Sequence, residues 1–241
     1  MNNELERISG AEHSHDPASA GRGEERGVRV ITLEENILEE NDRIASRNRS
    51  YLQSKGIISL NLMSSPGSGK TTLLVETLKQ LKDEIPCGVI EGDQQTSNDA
   101  QRIAATDVPV VQINTSQSCH LDAFHVQKAF HELPLDKIQL LFIENVGNLI
   151  CPAAFDLGET EKIAIMSVTE GEDKPIKYPL IFHIASLLVL TKMDLLPHLQ
   201  FDLELCKQYA RQVNPSLRII ETSSYTHQGF TEWFEYLRSK V

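Results

Sequence analysis

No apolar stretch in this sequence approaches the roughly 20 residues that a membrane-crossing helix requires, so no transmembrane anchor is expected. The first 16 residues contain no apolar core segment, so no secretory signal is expected either, and a cytoplasmic location follows as the expectation. Basic side chains are in short supply. Against 34 Asp and Glu there are only 23 Lys and Arg, a formal net charge of −11, which argues against nucleic acid or an anionic membrane as partner. Cysteine is scarce too, with Cys87, Cys119, Cys151 and Cys206 making the full set. Without an export signal these thiols are expected to be reduced, which favours metal binding over a disulfide framework. There is no internal repeat.

What is present is the composition of an ordinary globular protein, 40% apolar and 24% charged over 241 residues, enough for one α/β domain with a full core. Residues 1–27, rich in Gly, Ser, Glu and Arg, read as a flexible tail that cannot bury enough surface to offset its ordering entropy. Residues 28–55 read as an amphipathic N-terminal helix. Its apolar pairs Ile37/Leu38, Ile44/Ala45 and Tyr51/Leu52 recur every seven positions, a narrow stripe expected to pack on the protein's own domain, with a partner subunit as the alternative. Residues 56–241 alternate apolar runs with amphipathic stretches. Strands are predicted at 57–64, 88–91, 108–113, 138–146, 187–191 and 217–221, with a further one at 162–168. Helices are predicted near 70–83, 98–105, 121–132, 201–213 and 230–239. This pattern gives an α/β fold, a mostly parallel sheet flanked by helices, in which ligands bind beyond the carboxyl ends of the strands.

At the end of the first predicted strand stands Ser64-Ser65-Pro66-Gly67-Ser68-Gly69-Lys70-Thr71-Thr72. It meets G-x-x-x-x-G-K-[ST] except that Ser64 occupies the first position, and its setting between strand and helix marks a P-loop. Pro66, Gly67, Ser68 and Gly69 would curl the backbone into an anion nest at a helix N-terminus. Lys70 would reach the outer phosphates, and the Thr71 hydroxyl would ligate Mg²⁺. Acids to direct that metal are sought at neighbouring strand ends. Glu144 precedes Asn145-Val146-Gly147, with Gly147 placed to sense the γ-phosphate, and Glu91-Gly92-Asp93 is followed by Asp99.

After the strand at 187–191 comes Thr191-Lys192-Met193-Asp194, matching [NT]-K-x-D. A carboxylate at Asp194 would accept the paired N1–H and N2–H₂ donors that guanine has and adenine lacks. Lys192 would lie over the base, and Glu221-Thr222-Ser223-Ser224, one strand later, resembles the GTPase loop whose backbone N–H faces the guanine O6, with Ser223 and Ser224 as the expected contributors. GTP is therefore preferred to ATP as the expected ligand.

Cys119-His120 and Cys151 follow separate strands at the same expected rim, and thiolate with imidazole suits Ni²⁺ or Zn²⁺. Three ligands per chain leave a structural zinc site incomplete, so two chains could share the ion across a two-fold axis. Cys87 and Cys206 read as small buried apolar residues, His125 and His131 as surface or packing residues, and His13 and His15 as part of a solvated tail.

Together these residues resemble the HypB family of GTPases that help insert nickel into [NiFe]-hydrogenase. The likeness spans roughly residues 30–241 and rests on N-D-R-I-A-S-R-N-R at 41–49, the P-loop at 64–72, E-G-D-Q-Q-T at 91–96, C-H-L-D-A at 119–123, F-I-E-N-V-G-N-L-I-C-P at 142–152 and T-E-G-E-D at 169–173. The resemblance implies a SIMIBI-type P-loop NTPase fold and a Mg²⁺-dependent GTPase that forms a homodimer on binding GTP. It implies Lys70, Asp93, Asp99 and Glu144 as the catalytic set, and Thr71, Asp93, Asp99 and Glu144 around magnesium and the attacking water. Lys177 would approach the partner's nucleotide. Cys119, His120 and Cys151 would hold nickel or zinc at the dimer interface, and the partners would be a HypA-type accessory protein and the hydrogenase large-subunit precursor.

The tail has no cysteine, so the N-terminal C-x-x-C-G-C site of some relatives is not expected. Two rival assignments are a urease-type nickel GTPase of the UreG family, whose Cys-Pro-His is broken here by Ala153, and a metal-free P-loop small-molecule kinase, which would not need Thr191-Lys192-x-Asp194. A non-hydrolysing scaffold built on the N-terminal helix is a third.

Overall fold

The computed structural model describes residues 33–93, 98–115 and 118–241. The tail at 1–27, with His13 and His15, and the first residues of the 28–55 segment lie outside the described residues. Among the described residues the strands are β1 (Ile58–Ser64), β2 (Cys87–Asp93), β3 (Val110–Asn114), β4 (Leu140–Glu144), β5 (Glu161–Ser167), β6 (Leu187–Thr191) and β7 (Arg218–Glu221). They form one sheet in the order β3-β2-β4-β1-β5-β6-β7, and each pairing is parallel. The segment at 161–167 is a strand bridging β1 to β6.

Because the strands run in one direction with helices on both faces, their residues are buried on both sides, and so they read as continuous apolar runs rather than alternating ones. β6 is buried along its whole length. One face packs against α2 (Lys70–Leu81) and α9 (Phe230–Arg238), where Leu78, Phe142, Val189 and Trp233 meet. The Trp233 indole donates to Thr77 Oγ1 at 2.8 Å, so this large side chain is buried with its polar atom satisfied. The other face is covered in two patches. Ile181, Phe182, Leu188 and Cys206 form one around α7 (Pro179–Ile184) and α8 (Leu203–Val213); Leu52, Leu121, Val126 and Leu141 form the other.

Several predicted boundaries shift. β4 begins at Leu140, because Leu135–Lys137 forms a 3-10 turn, and ends at Glu144, because Asn145 turns its side chain back onto the backbone N–H of Val146 at 3.0 Å. The predicted helices near 98–105 and 121–132 are α3 (Asn98–Ala104) and α4 (Ala123–Ala129). Short elements α5 (Cys151–Ala154), α6 (Lys174–Lys177) and the 3-10 turn Met193–His198 are too brief to leave a periodic signal.

The N-terminal helix, α1 (Leu33–Ser54), corrects the sequence reading more deeply. Ile37 and Tyr51, two members of the expected stripe, are exposed, whereas Asn41, Ala45, Asn48 and Leu52 are buried. The inner face follows the expected helical spacing, but half of it is amide.

Candidate functional site

The parallel arrangement brings the carboxyl ends of β1, β2, β4 and β6 to one rim. β1 delivers the chain into a loop in which Gly67 and Gly69 adopt left-handed φ angles of 74° and 90°, open to glycine and disfavoured for other residues. The loop ends at Lys70, the first residue of α2, and no side chain caps that helix, so its N-terminal N–H groups face the loop. Ser64, the departure from the motif, is the last residue of β1 and has no left-handed backbone, so its position does not demand glycine. Residues 64–72, with Glu91, Asp93, Asp99, Glu144, Gly147 and Lys192, line a cavity of about 510 Å³. Gly147 lies against the loop, where a Cβ would sit 3.0 Å from Pro66 Cα. Thr191 Oγ1 donates to the Ser68 carbonyl at 2.5 Å and Lys192 Nζ to that of Gly67 at 2.7 Å, tying β6 to the loop.

The acids converge. β2 and β4 are neighbours with Glu91 in register with Glu144, and both are almost fully buried. Glu144 Oε1 accepts from Thr71 Oγ1 at 2.6 Å and lies 3.8 Å from Lys70 Nζ. Oε2 of Glu144 and Oε2 of Glu91 are buried without a hydrogen-bond partner. Burial raises the pKa of Glu144 against the opposing pull of Lys70 and Thr71. Burial, with the charges of Glu144, Asp93 and Asp99, pushes Glu91 up to about 8. Asp99 holds Arg102 at 3.0 Å, and the same guanidinium donates to Thr72 Oγ1 at 3.0 Å.

Glu91 ties stability to pH. In the metal-free protein the folded state keeps a proton on Glu91 that the unfolded chain releases near its ordinary 4.5. Folding therefore takes up a proton between those values, and stability falls as pH rises from about 4.5 to about 8. Glu91→Gln should flatten part of that slope. With EDTA present, the urea midpoint of the wild type should drop more between pH 5.5 and pH 8 than that of the variant; equal drops would assign the proton elsewhere.

Lys192, which lines the cavity, has a left-handed backbone (φ 60°) that turns the chain sharply after β6; Asp194, Ser223 and Ser224 are not among the residues that line it. Ser223 Oγ donates to Asp194 Oδ1 at 2.5 Å and accepts from the N–H groups of Tyr225 and Thr226, at 3.2 and 3.1 Å. β6 and β7 thus present Asp194 and Ser223 together, with Ser224 next in the chain. Lys177 is elsewhere: it is exposed, paired with Asp173 at 2.5 Å, and does not line the cavity. Lys174 is the lysine of that segment that approaches the loop, 3.5 Å from Ser65 Oγ.

The soft ligands also meet. Cys119 Sγ stands 2.6 Å from Cys151 Sγ and 3.6 Å from His120 Nδ1, and one ligand atom from each residue fits within a 4.8 Å span, the only such group of three among the described residues. His120 stacks on Phe155 at 3.9 Å. Burial lowers its pKa, which favours the neutral imidazole that binds metals. The Cys119 sulfur raises the pKa of the Cys151 thiol. Cys87 and Cys206 are buried far into the core, where desolvation pushes each thiol up to about 12. His125 packs beside Asp122 at 2.9 Å, and His131 is exposed.

One side chain joins the two centres. Asn145, next to Glu144, accepts from the N–H of Leu121 at 3.1 Å, and Leu121 follows His120 directly. Its amide nitrogen donates to Asn61 Oδ1 at 3.3 Å. Sequence reasoning did not single out Asn145, and it met Glu91 only as one acid of the Glu91-Gly92-Asp93 strand end. Glu91 is set opposite Glu144 by strand order, which no local pattern encodes; Asn145 sat inside the string at 142–152 but looked like a loop residue.

These features define a P-loop nucleotide-binding protein of the SIMIBI type, with a cysteine–histidine cluster at the same rim whose chemistry could hold a soft metal ion. The family model described as "CobW/HypB/UreG, nucleotide-binding domain" matches residues 59–221. The chain is 55% identical over 212 residues to the hydrogenase maturation factor HypB of Escherichia coli K12, covering 88% of this chain and 73% of that protein. The crystal structure of HypB from Archaeoglobus fulgidus superposes with a TM-score of 0.79 at 39% identity, covering 84% of this chain and 98% of the other. HypB from Helicobacter pylori, solved in complex with nickel, gives 0.79 at 37% identity over 83% and 94%. This chain belongs to the HypB family of hydrogenase maturation factors. No helix among the described residues is long and apolar enough to cross a membrane.

Proposed function

We propose that this chain is a GTP-hydrolysing nickel chaperone that assists metal insertion into a [NiFe]-hydrogenase precursor. The observation that carries the reading is the single hydrogen bond from Leu121 to Asn145, which links the thiolate–imidazole cluster to the residue beside Glu144 at the nucleotide cavity. Loss of the γ-phosphate relaxes the strand end at Glu144, and the strain passes through Asn145 to the peptide that carries His120 and Cys119. The cargo is nickel, with zinc as the chemically equivalent occupant.

A hard divalent cation fits the acidic end of the cavity, since two buried carboxylates carry oxygens without partners beside a threonine hydroxyl. Mg²⁺ would be held there by Thr71 with Glu144, Asp93, Asp99 and Glu91, and it would supply charge neutralisation to the phosphates. The protein's own groups do the rest. Lys70 binds the outer phosphates, the α2 N-terminus orients them, and the acids place the attacking water.

Three ligands from one chain leave the metal sphere open, and the exposed apolar side chains of Phe124 and Ile150 lie within four residues of a ligand in sequence. Both features suit a second copy of the chain, joined when GTP is bound, with the exposed Lys177 reaching the partner's nucleotide. The expected partners are a HypA-type accessory protein and the large-subunit precursor, met in the cytoplasm.

The decisive experiment is nickel titration of the protein loaded with a non-hydrolysable GTP analogue or with GDP. Affinities should differ by about 10-fold, and identical values would remove the switch. Base choice has its own test. Asp194→Asn replaces an acceptor by an amide, so preference for GTP over ATP should fall by at least about 100-fold while xanthosine triphosphate, with a carbonyl at C2, becomes a substrate. Unchanged GTP preference in competition assays would place guanine recognition elsewhere.

A further inference from the structure

The buried face of α1 holds two asparagines where a helix packing on a core would carry apolar side chains, and each of them touches the same two segments. Asn41 Oδ1 accepts from the N–H of Ala123 at 2.9 Å, and its Nδ2 donates to the Asp156 carbonyl at 2.8 Å. Asn48, seven residues on and so on the same face, donates from Nδ2 to the Ala123 carbonyl at 2.8 Å and the Leu157 carbonyl at 3.0 Å. Ala123 lies three residues after His120, and Asp156 lies five after Cys151. The helix therefore grips both halves of the metal pocket, which otherwise come from different strands.

Independent packing supports the same grip. Gly158, at φ 86°, lets the second segment run against α1 so closely that a Cβ there would lie 2.4 Å from the Ala45 carbonyl oxygen and 2.6 Å from Asn48 Cβ. Arg49 pairs with both oxygens of Asp156 at 2.7 Å. Phe155, between Cys151 and the gripped carbonyls, is the ring on which His120 stacks. Asn48 Oδ1 is buried without a partner, so the residue is used for its donor alone.

We propose that Asn41 and Asn48 are positioning residues for the metal site, a helix-borne clamp that sets the spacing of Cys119 and His120 against Cys151 and thereby the affinity for nickel. The inference rests on the reading of those three residues as nickel ligands. A backbone held by buried hydrogen bonds presents its ligands preorganised, and groups outside the ligand shell contribute about 10- to 100-fold in affinity when they act this way. Metal affinity becomes a property of how α1 is seated, although α1 supplies no ligand.

The test uses the full chain and Ni²⁺ competed against a chromophoric chelator, with the thiolate-to-nickel charge-transfer band as a second readout. Asn48→Asp keeps the shape and replaces the donor by an oxygen facing two carbonyls. Asn41→Asp is milder, since it keeps the acceptor for Ala123 and loses only the bond to Asp156. Nickel affinity should fall about 10-fold in Asn48→Asp and less in Asn41→Asp, with a weakened charge-transfer band, while GDP affinity stays within about twofold. Arg47→Ala, on the exposed face, should match the wild type. Nickel affinity within twofold of wild type in both aspartate variants overturns the clamp, as does an equal loss of GDP affinity, which would mean that α1 merely supports the whole domain. Cys151→Ala run alongside separates the two ideas: if it binds nickel like the wild type, the ligand assignment itself is wrong, whereas if it alone loses nickel, only the clamp fails.

Discussion

Cys151→Ala is expected to weaken nickel binding by more than about 100-fold, beyond the effect typical of residues outside the ligand shell, and to leave GDP affinity unchanged. Cys151 begins α5 and points its sulfur to within 2.6 Å of Cys119. The hydrogen bond with the Cys119 sulfur, together with burial and the charge of that sulfur, raises the pKa of the Cys151 thiol. A divalent cation reverses that balance by stabilising both thiolates, so binding releases protons and affinity should rise with pH until the sulfurs are ionised. Removing one sulfur leaves a thiol and an imidazole, a pair with little hold on nickel. Cys206→Ala is the matched control, because its thiol lies in the core beneath α8 and has no route to the metal. Nickel titration with both variants decides the matter: equal loss in the two would mean that binding depends on general integrity rather than on this cluster.

Lys70→Ala should lower GTP turnover by on the order of 10²–10³-fold, the usual consequence of removing one donor aimed at charge that develops in the transition state. Lys70 is the first residue of α2, nine-tenths buried, and stands 3.8 Å from Glu144. In the nucleotide-free protein it also opposes the rise in the Glu144 pKa. The variant should therefore slow hydrolysis, and it should also leave the site less positive for phosphate and Glu144 more easily protonated. Steady-state phosphate release measures the first; nickel affinity of the nucleotide-free variant, which should equal that of the wild type, shows that the metal pocket does not need the lysine. Wild-type turnover in Lys70→Ala would deny the loop its assigned role.

Nucleotide cavity and metal pocket share a rim but use opposite chemistry, hard oxygens in one and soft sulfur and nitrogen in the other. On the proposed function, that separation would let one ion promote hydrolysis while another is carried. The seam between them is a few peptides wide: Glu144 and Asn145 on one strand end, Leu121 and His120 on the next loop.

Much of this was legible in the chain itself. The P-loop is a local device whose glycines and helix start are set by adjacent residues, so Lys70 and Thr71 could be placed without coordinates. Continuous apolar runs such as 187–191 announce strands buried on both faces, and Thr191-Lys192-Met193-Asp194 is again a contiguous signal. Cys119-His120 and Cys151 could be suspected, because sulfur and imidazole have few reasons to follow strands at a ligand rim. Glu91, by contrast, was one acid among several. Only its register with Glu144 makes it a buried partner with a displaced pKa. The periodicity of the N-terminal helix pointed to Ile37 and Tyr51, yet the fold buries Asn41 and Asn48.

Sequence by itself determined which local devices this protein carries: a P-loop, a strand end with the Thr-Lys-x-Asp pattern, a pair of thiols and a neighbouring imidazole. The loop, the Thr191–Asp194 turn and the Cys119-His120 pair each span few enough residues for local backbone geometry to set them. Tertiary structure alone decided what those devices face, because strand order and helix docking depend on contacts between residues separated by 30 to over 100 positions in the chain, such as Cys119 with Cys151 and Asn41 with Asp156. Hydrogen bonds of that reach are selected by the packing of the whole domain, and no window on the sequence contains them.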